Sequence, residues 1–271
     1  MMPAGRVPVV LSIAGSDSGG GAGIQADIKA FARAGVHGAT AITAITAQST
    51  VAVDAVEPVS PEMILAQVRS VAGDLGIDAV KIGMVGGAEA IAAVAQALDE
   101  LPAGTPVVLD PVMVAESGGR LLAADAEDAL RELLLPRVTV VTPNMPEARV
   151  LARLGEDATA EQLVEAVYAL GPTVAMVTGG HRDEAIDLLF DGSDLVELPG
   201  ERHPDGAAHG SGCTHSSTLA ARLALGDDPV QAARVARAVA AEAVRDGLRE
   251  LGAGPGPVNV LGLGRPSTRV P

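Results

Sequence analysis

The chain has 271 residues, of which 48% are hydrophobic and only 1% aromatic. This length is enough for one large α/β domain or two small ones, with a core built mainly from Ala, Val, Leu and Ile. The net charge of −15 argues against nucleic acid and against an anionic membrane surface as partners.

The cysteine and lysine contents narrow the chemistry further. The single cysteine, Cys213, excludes an internal disulfide and favours a reducing, cytoplasmic location. The first apolar run, 9–13, is too short for a signal sequence or a membrane span, and no later run is long enough. Since Lys29 and Lys81 are the only lysines, an anion site must rely on backbone amides, a metal ion and a few local cations.

Predicted strands and helices alternate along the chain. The predicted strands are 7–13, 38–46, 78–82, 106–109, 138–141 and 173–177, and a hairpin is predicted at 186–190 and 195–198. The predicted helices are 24–34, a helix from 61 onward, 88–98, 125–134, 159–170, a helix entered near 212, and 229 to about 251. Residues 1–6 and about 262–271 are expected to be irregular tails.

This alternation predicts one doubly wound, mostly parallel α/β sheet with helices on both faces. No linker divides the chain, so residues 1–271 are expected to form a single domain. Nearly every predicted strand ends in a polar or glycine cluster. Because ligands bind at the carboxyl ends of strands in such sheets, these clusters should converge on one cleft.

The stretch 209–217, His-Gly-Ser-Gly-Cys-Thr-His-Ser-Ser, is the strongest candidate for a binding site. A glycine turn that enters a helix leaves backbone N–H groups unpaired, and the helix dipole adds positive charge there. Such a cradle suits an anion, most simply a phosphate. A helix N-terminus also lowers the pKa of a thiol, so Cys213 is a potential base and its pKa is expected below about 8.5.

Two other interpretations of this stretch are open. The glycines could form a plain turn, with Cys213 as a small buried apolar residue. A zinc site of His209, Cys213 and His215 is disfavoured, because residues two apart on a helix do not share a face and no further ligand is near in sequence.

Two carboxylates follow predicted strands, Asp110 and Glu147. Mg²⁺ prefers a couple of carboxylates together with phosphate oxygens, so these residues are candidate metal ligands. Asp110 could instead cap a turn before Pro111, and Glu147 could face the dipole of its own helix.

Asp27 and Gln48 are the polar groups of the N-terminal half that could bind a ring carrying an amino group. Asp27 is expected in the first turn of the helix after the loop 14–23. Alternatively, Asp27 could cap the helix, Gln48 could lie in a solvated loop, and Met84 could fill a gap in the core.

Taken together, the motifs resemble the hydroxymethylpyrimidine/phosphomethylpyrimidine kinases of thiamine biosynthesis, in the ribokinase-like superfamily. The matching stretches occur in the family's order and cover about residues 7–260. They are Ala14-Gly15-Ser16-Asp17, Gly20 to Asp27, Thr43-Ala44 with Ala47-Gln48, Lys81 to Met84, Asp110 to Met113, Thr142-Pro143-Asn144 with Pro146-Glu147-Ala148, Gly179-Gly180-His181, and Gly210 to Thr214.

The resemblance implies a ribokinase-like fold and ATP- and Mg²⁺-dependent phosphorylation by a homodimer. The substrate would be the primary alcohol of 4-amino-5-hydroxymethyl-2-methylpyrimidine, followed by its monophosphate, which gives the diphosphate. The resemblance implies that the ring is bound by Asp27, Gln48, the Met84 backbone, Gly15 and Val112. It implies that the metal is bound by Asp110, Asn144 and Glu147, and the phosphates by Gly180, Gly210, Ser211, Gly212 and Cys213. Cys213 would also be the base.

The chain departs from the family pattern at two places near the expected nucleotide site. The family usually has a lysine before Gly-Gly-His, where this chain has Thr178, and Asn-Thr before His-Gly-x-Gly-Cys, where it has Ala207-Ala208. Arg182, His181 or Lys81 could supply the missing charge. The alternatives are a pyridoxal-type vitamin kinase of the same superfamily and a non-catalytic sensor of the pyrimidine phosphate.

Overall fold

The structure is a computed structural model that describes residues 6–113, 122, 126–179 and 185–264. The predicted doubly wound sheet is present, with nine strands in the order β3-β2-β1-β4-β5-β6-β7-β8-β9. The strands are β1 (Val9–Ser16), β2 (His37–Gln48), β3 (Val53–Pro58), β4 (Ala79–Ile82), β5 (Val107–Leu109), β6 (Val140–Val141), β7 (Val174–Val177), β8 (Ile186–Phe190) and β9 (Leu195–Pro199).

The centre of the sheet is parallel, and antiparallel strands flank it. Strands β1, β2, β4, β5, β6 and β7 run parallel to their neighbours in this central block. Strand β3 is antiparallel to β2, and the expected hairpin β8–β9 adds antiparallel to β7.

The described helices pack on the two faces of the sheet. They are α1 (Gly23–Ala34), α2 (Pro61–Asp74), α3 (Ala88–Asp99), α4 (Ala126–Ala129) with a π-helical turn at Leu130–Leu134, α5 (Met145–Ala152), α6 (Ala160–Tyr168), α7 (Ser211–Ala224) and α8 (Pro229–Arg245). None of the helices in the described part of the chain is long and apolar enough to cross a membrane.

Strand alternation sends side chains to two separate cores. On β1, Leu11 and Ile13 pack with the helices α2 to α6, whereas Val10 packs with α1, α7 and α8. Strand β4 repeats this pattern, with Ile82 on the first face and Ala79 on the second. Because successive strand residues point to opposite faces, Lys81 lies on the same face as Ala79, toward α1 and α7.

Several predicted boundaries were wrong. Edge strand β3 was missed, since five of its six residues are exposed and lack the apolar alternation of a half-buried strand. Helix α5 was not predicted as an element, and α8 ends at Arg245 rather than near 251. Because α1 begins at Gly23 with no acidic residue in its first turn, Asp27 lies in the second turn and cannot cap the helix.

Candidate active site

The strand-end clusters converge as expected, on a cleft of about 500 Å³ at the carboxyl edge of the parallel strands. Gly15, Met84, Asp110, Asn144 and Thr178 line it, each from the end of a different strand or the loop after it. The N-terminus of α7 and one side of α8 also line the cleft. The parallel strands therefore place residues from distant parts of the chain in one cavity.

The loop between β1 and α1 is folded around the carboxylate of Asp17. This buried carboxylate accepts hydrogen bonds from the N–H groups of Gly19 (2.8 Å), Gly21 (3.0 Å) and Ala22 (2.8 Å). Its Oδ2 also lies 3.0 Å from Nε2 of His209. Burial acts to raise the pKa of Asp17, but the His209 and backbone hydrogen bonds outweigh it and hold the pKa below its ordinary value.

The expected anion cradle is present at the start of α7. Gly210 caps this helix in the left-handed conformation, with φ of 84°. A Cβ at Gly210 would lie 1.8 Å from the carbonyl oxygen of Gly21, so only glycine allows the cradle to pack against the glycine loop. At Gly212, a Cβ would meet only Asp110 Oδ2, at 3.6 Å, so the missing side chain leaves the cradle open.

Not every amide of the cradle is available to a ligand. The N–H of Ser211 donates to the carbonyl of Ala208 at 2.9 Å. No side chain caps α7, so the N–H groups of Gly212 and Cys213 are the ones in its first turn that can receive an anion. The Ser211 amide is thus already paired within the protein, and its predicted contact with phosphate stays a prediction.

The predicted lowering of the Cys213 pKa is wrong. Burial raises the pKa of this thiol to about 12, and the charges of Asp110 and Asp27 add to the effect. The charge of Lys81 and the backbone N–H of Gly23 oppose the rise without cancelling it. The pKa rises because the thiol is desolvated and lies near two carboxylates.

The structure also corrects the expected position of Asp27. This residue is fully buried and is not among the residues that line the cleft. Its carboxylate accepts hydrogen bonds from Ser12 Oγ (2.5 Å), Ser217 Oγ (2.7 Å) and Lys81 Nζ (2.9 and 3.1 Å). Because Asp27 is fully buried and is paired with Lys81, it supports the floor of the cleft from below.

Lys81 is the group that Asp27 supports. It is fully buried, yet it lines the cleft. Burial would lower the pKa of its ammonium group, but the charges of Asp27 and Asp110 prevail and the pKa is raised, so the group stays charged. A Cβ at Gly83 would lie 2.8 Å from Nζ, which explains the glycine two residues later.

Four predicted ring-binding residues line the cleft together, namely Gly15, Gln48, Met84 and Val112. A Cβ at Gly15 would lie 2.3 Å from Cε of Met84, so a side chain there would displace Met84. The Met84 carbonyl already accepts hydrogen bonds from the N–H of Gly15 (3.1 Å) and from Thr43 Oγ1 (2.7 Å). The amide of Gln48 is therefore the side chain among these four with the clearest hydrogen-bonding capacity for a ligand.

The two candidate metal-binding carboxylates lie close enough to affect each other's ionisation. Burial raises the pKa of Glu147 to about 8, and the charge of Asp110 contributes, against the backbone N–H groups of Asn144 and Met113. Burial also raises the pKa of Asp110, although Lys81 and a hydrogen bond from Ser216 Oγ (3.1 Å) lower it in part. Two desolvated carboxylates of this kind form a site that a cation would stabilise.

Asn144 holds Glu147 in place through a capping box at the start of α5. Its Oδ1 accepts the N–H of Glu147 at 2.9 Å, and its own N–H donates to Glu147 Oε2 at 2.9 Å. The pattern satisfies two N–H groups at the helix start and fixes the carboxylate toward the cleft.

Residues at the ends of β7 and β8 line the side of the cleft opposite Gly15 and Met84, as the strand order requires, and we call this side the second lobe. Both positions where the chain departs from the family pattern, Thr178 and Ala208, line the cleft on this side, whereas Ala207 is buried behind it. Asp187, His215 and Arg237 line the same lobe. The predicted phosphate contact Gly180 and the possible replacement cations His181 and Arg182 lie outside the described residues.

Sequence reasoning missed Asp17, Ser216 and Ser217 as parts of the site. A signal existed for Asp17, because an aspartate directly before a glycine-rich loop typically bonds the N–H groups that follow it. No comparable signal existed for the two serines. They lie on a helix whose apolar stripe was recognised, but whose polar residues are also buried.

Comparisons with known proteins agree with these features. The family described as Phosphomethylpyrimidine kinase matches residues 17–259. A hydroxymethylpyrimidine/phosphomethylpyrimidine kinase from Rhizobium meliloti is 49% identical over 93% of this chain and 96% of the relative. The corresponding protein of Streptomyces coelicolor is 43% identical, over 93% of this chain and 94% of the relative.

A solved structure shows the same fold. The pyridoxal kinase from Staphylococcus aureus in complex with AMP-PCP and pyridoxal superposes with a TM-score of 0.86 at 32% identity, covering 96% of each chain. The family match and the relatives span nearly the whole sequence. The chain therefore belongs to the phosphomethylpyrimidine kinase family and is a phosphotransferase.

Proposed function

We propose that this protein transfers the γ-phosphoryl group of ATP to 4-amino-5-hydroxymethyl-2-methylpyrimidine, and then to the monophosphate, in thiamine biosynthesis. The observation that carries the proposal is the position of the α7 cradle. It lies in one cleft between a pocket lined by Gly15, Gln48 and Met84 and a second lobe lined by Thr178 and other residues. An acceptor alcohol and a phosphoryl donor can meet there on opposite sides of the transferred group.

The first pocket takes the pyrimidine. Gln48 hydrogen-bonds the ring with its side-chain amide, while Gly15, Met84 and Val112 form a largely apolar slot around it. Asp27 takes part indirectly, because its contact with Lys81 fixes the floor beneath the reacting groups.

The transferred phosphoryl group lies against the N–H groups of Gly212 and Cys213. Lys81 adds a positive charge that the buried pair with Asp27 keeps in place. Phosphoryl transfer depends mainly on positioning and on neutralising charge, and preorganised amides and a fixed ammonium group supply both. Gly180 is expected to contribute a further contact to the phosphates.

Asp110 and Glu147 would hold Mg²⁺, and Asn144 orients Glu147 for this role. The two residues fit the ion, because their raised pKa values reflect desolvated carboxylates that lack sufficient neighbouring positive charge. In the described part of the chain, no group of three or more His, Cys, Asp or Glu side chains could hold a metal by itself. With two carboxylates from the protein, Mg²⁺ would take further oxygen ligands from phosphate and water, and it would supply charge neutralisation when bound.

Cys213 accepts the proton of the substrate hydroxyl. With a pKa of about 12, the thiol is mostly protonated in the resting enzyme, so only the small fraction present as thiolate can accept the proton. The rate should therefore rise with pH as that fraction grows. We also assign the protein to the cytoplasm, because its single cysteine favours a reducing compartment, and to a homodimeric state, as the family resemblance implies.

A second activity has support from one observation, the similarity to a pyridoxal kinase structure. Pyridoxal also carries a hydroxymethyl group on a six-membered nitrogen heterocycle, and the slot between Gly15, Met84 and Val112 does not exclude it by charge. Values of kcat/KM for the pyrimidine, pyridoxal and pyridoxamine would rank the substrates, and we expect the pyrimidine to be preferred.

The decisive experiment is mass analysis of the products after purified protein is mixed with Mg²⁺, ATP and the hydroxymethylpyrimidine. We expect the monophosphate first and the diphosphate later. Absence of both products, with ATP intact, would contradict the proposal and favour a non-catalytic sensor. Accumulation of monophosphate alone would limit the activity to the first step.

A further inference from the structure

Thr46 lines the cleft but has no part in the proposed phosphoryl transfer. It lies near the end of β2, two residues before Gln48, and both residues line the cleft. Thr46 is 5% exposed, so its hydroxyl depends on hydrogen-bond partners inside the protein. The backbone of Gln48 is fixed by Ser18, whose Oγ accepts from the N–H of Gln48 and donates to its carbonyl oxygen, each at 2.7 Å. These bonds leave the orientation of the Gln48 side-chain amide undetermined.

The hydroxyl of Thr46 has two oxygen neighbours and only one hydrogen. Its Oγ1 lies 2.9 Å from the carbonyl oxygen of Ser16 and 3.3 Å from Oε1 of Gln48. The carbonyl oxygen can only accept a hydrogen bond, and it is the nearer of the two. Thr46 therefore donates its hydrogen to Ser16 and faces the Gln48 amide with lone pairs.

Ser16 is fixed by a second amide. Its Oγ accepts a hydrogen bond from Nε2 of Gln25 at 2.8 Å, and Oε1 of Gln25 accepts the N–H of Asp17 at 2.9 Å. Because a backbone N–H can only donate, this contact determines the orientation of the Gln25 amide. Ser16 is thus held by Gln25 at its side chain and by Thr46 at its carbonyl.

The lone pairs of Thr46 determine which end of the Gln48 amide is stable beside them. They attract an amide N–H and repel a carbonyl oxygen. A half-turn of the amide exchanges Oε1 and Nε2 without changing the shape of the side chain, so hydrogen-bond partners decide between the two orientations. The orientation that Thr46 stabilises has Nε2 toward Thr46 and Oε1 toward the cleft.

We propose that Thr46 is a positioning residue that sets the ring specificity of the enzyme. By accepting a hydrogen bond from Nε2 of Gln48, it turns Oε1 toward the ring, where this oxygen selects an N–H donor over an oxygen acceptor. The inference rests on the proposed function, which seats the acceptor ring against Gln48. A ring with an oxygen at that place would have to rotate the amide and break its bond to Thr46.

The test uses calorimetric titration of the full-length protein with two rings that differ in one group. The first is 4-amino-5-hydroxymethyl-2-methylpyrimidine. The second is its 4-oxo analogue, in which the exocyclic oxygen and the neighbouring ring N–H exchange the acceptor and donor positions of that edge. The measured quantity is the ratio of the two dissociation constants, oxo ring over amino ring.

The variants separate the hydroxyl of Thr46 from its shape. Thr46→Val keeps the shape and removes the hydroxyl, whereas Thr46→Ser keeps the hydroxyl. Thr46→Ala repeats the test if Thr46→Val does not fold. The matched control is Thr218→Val, because Thr218 is also buried and donates to a backbone carbonyl, at 2.7 Å, but does not line the cleft.

We expect wild type to bind the amino ring at least about tenfold more tightly than the oxo ring, and Thr46→Val to reduce that ratio about tenfold. This is the effect of one ordinary hydrogen bond, which the oxo ring no longer has to break. Thr46→Ser and Thr218→Val should keep the ratio within about twofold of wild type. A purely structural role of Thr46 would alter stability, or the affinity for both rings together, without changing the ratio.

Gln48→Glu provides an independent check. A carboxylate has an oxygen at both ends, so Thr46 has no orientation to select. Thr46→Val should therefore leave the ratio unchanged in the Gln48→Glu background. A change of equal size in both backgrounds would show that Thr46 does not act through Gln48, and it would overturn the inference.

The inference is also overturned if wild type binds the two rings equally, if Thr46→Val keeps the wild-type ratio, or if Thr46→Ser loses it. Binding is measured without turnover, so the proposed function can fail separately. A wild-type protein that selects the amino ring but forms no phosphorylated product would contradict the proposed function and leave this inference standing.

Discussion

Lys81 shows how strongly a single residue depends on a partner that is distant in sequence. Its ammonium group is fully buried, and Asp27 is its ion-pair partner at 2.9 Å. Removing one member of a buried pair leaves an uncompensated charge, which costs about 3–5 kcal/mol. The pair therefore makes the floor of the cleft both rigid and sensitive to mutation.

Lys81→Met should accordingly lower the free energy of unfolding by about 3–5 kcal/mol, measured by urea denaturation. The double variant Lys81→Met/Asp27→Asn should recover part of this loss, because the orphaned carboxylate becomes neutral. Equal stability of the single and double variants would contradict the assigned pairing. Phosphoryl transfer should remain impaired in both, since the positive charge beside the cradle is absent.

Cys213→Ser separates the thiol from the cradle in which it sits. The backbone N–H groups remain, so ADP affinity should change little, whereas kcat should fall about 10²–10⁴-fold if the side chain accepts the proton. With a raised pKa of about 12 for the thiol, wild-type kcat should still be rising with pH at pH 9. If the variant keeps near-wild-type kcat, Cys213 only lines the cleft, and the proton of the hydroxyl passes to water instead.

Glu147 should make the stability of the protein depend on pH. Its pKa rises from an ordinary value of 4.5 to about 8 in the folded state, so the folded protein binds this proton more tightly than the unfolded chain. The contribution of Glu147 to stability therefore falls as the pH rises from about 4.5 to about 8, and then levels off.

Glu147→Gln keeps the hydrogen-bonding shape and removes the charge. Relative to wild type, we expect the variant to gain at least about 1 kcal/mol at pH 8.5 and little at pH 4.5, from thermal unfolding without divalent cations. Adding Mg²⁺ should stabilise wild type more than the variant. A difference that does not vary with pH would contradict the raised pKa.

At the scale of elements, α5 and α6 begin with the same device, a capping box, but only the first faces the cleft. Asn144 and Glu147 form the box of α5, and Thr159 and Gln162 form that of α6. Loss of an N-cap side chain typically costs about 1 kcal/mol. The pair provides a comparison between a structural cap and one that also orients a functional group.

Asn144→Ala and Thr159→Ala should therefore destabilise the protein by similar amounts, about 1 kcal/mol each. Only Asn144→Ala should also weaken activity, because it releases the carboxylate of Glu147, and the effect should appear as a higher Mg²⁺ requirement. Matched losses of activity in the two variants would show that the α5 cap acts through stability alone.

Helix α7 is the element on which the whole cleft depends. Its apolar residues Leu219, Ala220 and Leu223 follow the expected stripe, and they pack with α1 and α8. Its polar residues are buried as well, since Ser216 donates to Asp110 and Ser217 to Asp27. One helix thus connects the cradle, the candidate metal site and the buried lysine pair.

At the scale of the molecule, ligand binding should stabilise the whole native fold. The cleft draws on loops from β1 through β7 and on both C-terminal helices, so its ligands contact elements that are far apart in sequence. A ligand present at 100 times its dissociation constant stabilises the native state by about 2.7 kcal/mol. For a chain of this size, that corresponds to a rise in melting temperature of roughly 5 °C.

Mg²⁺-ADP and the pyrimidine should each raise the melting temperature in a scanning experiment, and together they should raise it further. The effect of the pyrimidine should be reduced in Gln48→Ala, while that of Mg²⁺-ADP should persist. If the pyrimidine stabilises both proteins equally, Gln48 does not contact the ring.

The sequence by itself determined the fold class, the convergence of strand-end clusters and the cradle before α7. These depend on local periodicity, on glycines and on chain order, which are visible in one dimension. Tertiary structure alone decided that Asp27 supports Lys81 rather than lining the cleft, that the Cys213 pKa rises instead of falling, and that Asp187, His215 and Arg237 meet. Burial and charge act through space between residues that may be about 190 positions apart, as with Asp27 and Ser217.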